Sequence, residues 1–163
     1  MQQPDLSNIN FSLTKAGLTG ISGAVTTYST GAGGVLQSFG GKLVQKAQDS
    51  GVQLGTVDAV TGKAFNAVAV NQGCVLLLGY TSAGAIQVAQ SNLVALDPNG
   101  NFIGWAPQIP TLPDAVAPFA YVVVKNGATG IGTFTPGTTV WNQTGMSYSV
   151  QDVSYVPGRS QVV

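Results

Sequence analysis

The chain reads as an all-β protein, a small β-sandwich or β-barrel of jelly-roll-like or meander type with an extended arm at one end and a tail at the other. Three observations predict this. Glutamate is absent and lysine scarce, which removes good helix formers. Valine, threonine and aromatic residues recur in short runs, and these fit pleated, half-buried surfaces. Glycine, at 22 of 163 residues, punctuates those runs at turn spacing. A hydrophobic content of 44% predicts a packed core rather than disorder.

Residues 1–12 read as an N-terminal arm, 13–155 as one β domain and 156–163 as an extended C-terminal tail. Within the domain, "AVTTYST" (24–30) is a strand between glycine-rich turns. "KLVQKAQ" (42–48) is a strand or a short helical turn, since its period fits both. Residues 49–63 are turn-rich, a surface loop or a crossing between sheets. "CVLLLGY" (74–80) is a buried strand, "TSAG" a turn, and "AIQVAQ" alternates with Ile86 and Val88 on one face. "NLVAL" and "NFIGW" form a second hairpin around a Pro-Asn-Gly turn. A proline-studded crossing from Trp105 to Pro118 leads to "FAYVVVK", apolar on both faces as a central strand is. Asn126-Gly127 turns the chain, and "IGTFT", "TTVWN" and "MSYSVQDV" complete a meander. In the last run Met146, Tyr148 and Val150 face one way, and the phase slips before Val153.

Charge and chemistry exclude more than they assign. Six basic residues balance six acidic ones, all aspartates, and charged residues make up 7% of the chain against about 25% in a typical soluble domain. Lys42 and Lys46 are the one close basic pair, so the clustered cations that nucleic acid requires are missing. No apolar run approaches the ~18 residues that span a membrane, and "MQQPDLSNIN" lacks a signal-peptide pattern. The single cysteine, Cys74, reads as a small buried apolar residue and suits synthesis in a reducing compartment. With no histidine there is no Ser–His or Cys–His pair and no imidazole metal ligand. No catalytic, cofactor-binding or metal-binding residues are assigned. Gly62-Lys63 is followed by Ala64, which breaks the phosphate-loop pattern. Asp97, Asn99 and Asn101 alternate as calcium ligands do, but Phe102 and Gln108 occupy the glycine and glutamate positions, so "DPNGN" is a hairpin turn. With so few charges to protect sheet edges, the chain's surface calls for cover by copies of itself or by a partner.

"VAQSNLVALDPNGNFIGWAPQIPTLPDAVAPFAYVVVKNGATG" and "FTPGTTVWNQTGMSYSVQDVSYVPGRSQV" together resemble a family of short proteins from the head-gene region of tailed bacteriophages. The resemblance covers residues 88–162; Ala120 stands where the family pattern has glycine, and Ser160 where it has a second proline. It implies a decoration (cement) protein on the capsid exterior, made in the bacterial host cytoplasm. The implied partners are the major capsid protein and further copies of the chain around a symmetry axis, for instance as a trimer, with no nucleic acid and no membrane. A fibre, spike or other host-surface-binding module is the alternative. The extended ends and exposed rings that contact a partner are expected to be Pro4, Asp5 and Leu6 in the arm, Trp105 at the crossing, and Tyr155, Arg159 and Val162 in the tail.

Overall fold

A computed structural model describes residues 10–154, and among them there is no helix. The expected all-β class is what forms: antiparallel sheets of five, three and two strands. The strands are β1 (Phe11–Ser12), β2 (Thr27–Tyr28), β3 (Val35–Phe39), β4 (Lys42–Lys46), β5 (Val52–Gln53), β6 (Gln72–Thr81), β7 (Ile86–Gln90), β8 (Val94–Ala95), β9 (Val116–Asn126) and β10 (Met146–Asp152). The main sheet runs β10-β9-β6-β7, with β8 also paired to β6; β1-β3-β4 and β2-β5 make the smaller sheets.

The two longest strands carry the fold because their sequences are apolar on both sides. Cys74, Leu76, Leu78 and Tyr80 of β6 stand on the same face as Val122 and Val124 of β9, and all of them are buried. That face is covered by residues from the first half of the chain, among them Leu18, Tyr28, Val35, Leu54 and Val68, together with Phe134 and Trp141. Val75 and Leu77 alternate onto the opposite face and are buried too. There Gly73 and Gly79 leave room that side chains fill: a Cβ on Gly73 would stand 2.8 Å from the Phe102 ring, and one on Gly79 would stand 2.7 Å from Leu112. The Pro-Asn-Gly hairpin and the proline-rich crossing therefore lie over the second face of the main sheet. Lys125 pins the hairpin, its ammonium 2.8 Å from the Gly100 carbonyl and 4.8 Å from the Phe102 ring centre.

Several local expectations are corrected. Phe11 and Ser12, placed in the arm by sequence, pair with Ser38 and Gln37. The Ser12 hydroxyl donates to the Pro118 carbonyl, and Gly40 N–H donates to the Asn10 side chain, so residues 10–12 belong to the body. "AVTTYST" contributes only Thr27 and Tyr28 as strand. "KLVQKAQ" resolves as a strand over Lys42–Lys46. "IGTFT" and "TTVWN" add no strands to a meander. Thr135 instead starts a turn, its carbonyl accepting the N–H groups of Thr138 and Thr139, and this drives Phe134 and Trp141 side by side into the core at 5.3 Å. The shift between β6 and β9 sets Leu78 opposite Ala120 but Gly79 opposite Pro118, so Phe119 is the bulged residue. Pro118 sits at that bulge, where a missing N–H costs no ladder bond.

Candidate functional site

The densest polar cluster lies under the main sheet. β4 ends at Lys46, and the chain returns three residues later with Asp49, whose carboxylate takes the Lys46 ammonium at 2.5 Å. Its other oxygen accepts the hydroxyls of Tyr80, at 2.5 Å, and Tyr28, at 2.7 Å. The Thr30 hydroxyl accepts the Asp49 N–H, and the Asp49 carbonyl accepts the Thr30 N–H. Burial would raise the Asp49 carboxyl, but the bonds from Lys46, Tyr80 and Tyr28 outweigh it and hold the group below the usual aspartate value. Burial, with the adjacent carboxylate, pushes Tyr80 and Tyr28 well above the ordinary tyrosine value. Neither hydroxyl gives up its proton near neutral pH, and both are committed to Asp49. The cluster joins β2, β4 and β6 as a polar staple and presents no base to a substrate.

The remaining acidic turns serve the backbone. Asp58 accepts N–H groups from Val60, Thr61 and Gln90. Asp97 accepts N–H groups from Asn99 and Asn101 and the Asn101 side-chain amide, so its oxygens are spent within the turn. Cys74 is buried, and burial lifts its thiol to about 11.

The crossing is different in kind. Trp105 is 91% exposed, and Ile103 and Ile109 on either side are also exposed. The ring, left uncovered among the described residues, stands on a segment whose backbone is restricted by Pro107, Pro110 and Pro113. Past it, Pro113 and Asp114 bring the chain to an open groove shared with Asn10, Leu77 and Pro118, where the described chain begins. The Asn10 side-chain amide donates to the Asp114 carbonyl there.

No protein-family model, curated protein or solved structure matches this chain.

Of the contact residues expected from sequence, Trp105 is in view and exposed; Pro4, Asp5, Leu6, Tyr155, Arg159 and Val162 lie outside the described residues. Sequence reasoning missed the Asp49 staple. The Lys46/Asp49 spacing is visible in the sequence, but the tyrosines that complete it come from 21 residues before Asp49 and 31 after.

Proposed function

We propose that this chain is a structural virion protein that decorates and stabilises the capsid of a tailed bacteriophage, with the major capsid protein as its partner and further copies of itself alongside. The reading belongs to the capsid exterior and involves neither nucleic acid nor membrane. The observation that carries it is Trp105, almost fully exposed on a proline-stiffened crossing within the segment that resembles phage head proteins. A rigid β-body with few charges and uncovered apolar side chains suits a shell component better than a free monomer. Among the described residues, no helix is long and apolar enough to cross a membrane, and no group of three metal-ligating side chains gathers.

The deciding experiment is the copy number of the chain per purified virion, by gel densitometry against the major capsid protein. A count comparable to that protein supports a shell role. A handful of copies moves the chain to a fibre or spike, and none removes it from the particle.

A further inference from the structure

The two outer strands of the main sheet are treated differently. In β7 the backbone groups of Val88 and Gln90 point away from β6, and a loop covers them. Ala59 N–H donates to the Val88 carbonyl, and Gln90 N–H donates to the Asp58 carboxylate at 2.7 Å. That edge is closed. The outer strand β4 of the three-stranded sheet begins and ends on lysine, a charge that opposes strand addition.

β10 has neither protection. Its hydrogen-bond phase is fixed by its flanks: Gly127 N–H donates to Gly145 and Val153 N–H to Phe119. With the register Met146↔Asn126 through Asp152↔Ala120, Ser147, Ser149 and Gln151 therefore bond to β9, while Tyr148 and Val150 turn their N–H and C=O groups outward. Among the described residues, those outward backbone groups have no partner. The strand, "MSYSVQD", contains no lysine and no proline, and Val150 is 37% exposed beside the open edge.

The geometry points to β10 as a self-pairing edge: a second copy of this chain adds its own β10 antiparallel across a two-fold axis at Ser149, joining two main sheets into one. In that register Tyr148 of each copy exchanges both backbone bonds with Val150 of the other, and their side chains meet on one face. Asp152, the only charge on the strand, falls opposite Met146 of the other copy, so no like charges meet. A net charge of zero adds no repulsion between copies. The pairing is independent of the capsid reading, and by itself gives a closed pair rather than a trimer.

The test is sedimentation equilibrium of the full chain and of Val150→Pro and Val150→Lys, with amide exchange read at Tyr148 and Val150. Among the described residues Val150 N–H bonds nothing, so proline there removes no ladder bond to β9; if that variant fails to fold, the lysine variant carries the comparison. The expected result is twice the 16.6 kDa chain mass for the wild type, with both amides protected. Single mass and fast Tyr148 exchange are expected for the variants. A monomeric wild type overturns the proposal in either form: protected amides would mean that the chain's own terminal segment covers the edge, and unprotected amides that the edge is free or awaits a different protein. Variants that remain dimeric overturn it as well.

Discussion

Asp49 is the residue on which three strands depend. Replacing it with asparagine takes the charge from the Lys46 contact and weakens the acceptor of two buried hydroxyls, at a cost on the order of 2 kcal/mol in urea denaturation. Because the folded state holds the carboxyl below its unfolded value of about 3.9, its contribution is complete above that pH and is lost as pH falls through the folded value. Stability should therefore be level between about pH 7 and 5 and decline below about pH 4, with a shallower decline in Asp49→Asn. Asp58, also held low against the effect of burial by N–H donors from Gln90 and Thr61, adds to the same slope. The absence of histidine removes the usual titration between those limits. Trp105→Ala should change stability by less than about 0.5 kcal/mol while weakening binding to capsids. Unchanged binding would take the ring out of the proposed contact. Cys74, shielded in β6, should resist thiol reagents in the native protein and react only on unfolding, which a labelling time course in urea would show.

Elements show why the crossing exists. Gly73 and Gly79 sit inside a ten-residue strand, where glycine is normally a cost, because Phe102 and Leu112 occupy the space their side chains would fill. Gly79→Val should displace Leu112 and destabilise the protein by about 1–3 kcal/mol, measured by thermal or urea unfolding. An unaltered stability would mean that the crossing does not seat on this face. The central strands were legible in sequence because β6 and β9 are apolar runs bounded by turns, as was the Asp97–Gly100 turn. The region from Ile131 to Asn142 was not, because its apolar residues look like strand positions until the Thr135 turn makes Phe134 and Trp141 inward-pointing plugs.

At the scale of the whole molecule, the main sheet is covered on one face by the N-terminal region with its two small sheets, joined by Phe134 and Trp141, and on the other by the hairpin with its crossing. Both faces of β6 are consequently dry, and solvent reaches the sheet through β10 and the outside of the covering layers. Edge pairing through β10 leaves the Trp105 crossing free in the main, since the crossing packs over β6 and β10 lies beyond β9. A chain paired through β10 and anchored through Trp105 would carry two separate contacts. Val150→Pro should then lower the wild-type mass without abolishing capsid binding, and Trp105→Ala should do the reverse; loss of both properties together in either variant would merge the two surfaces.

Composition and period by themselves determined the all-β class, the buried β6 and β9, the turn at Asp97 and the scarcity of acid–base chemistry, because each is a property of neighbouring residues along the chain. Tertiary structure alone decided the Asp49 staple, the seating of the crossing on two glycines and the difference between the β7 and β10 edges. Each of those depends on groups brought together from distant parts of the chain. A strand sequence records which side chains alternate, but not whether a loop elsewhere will bond its outer edge.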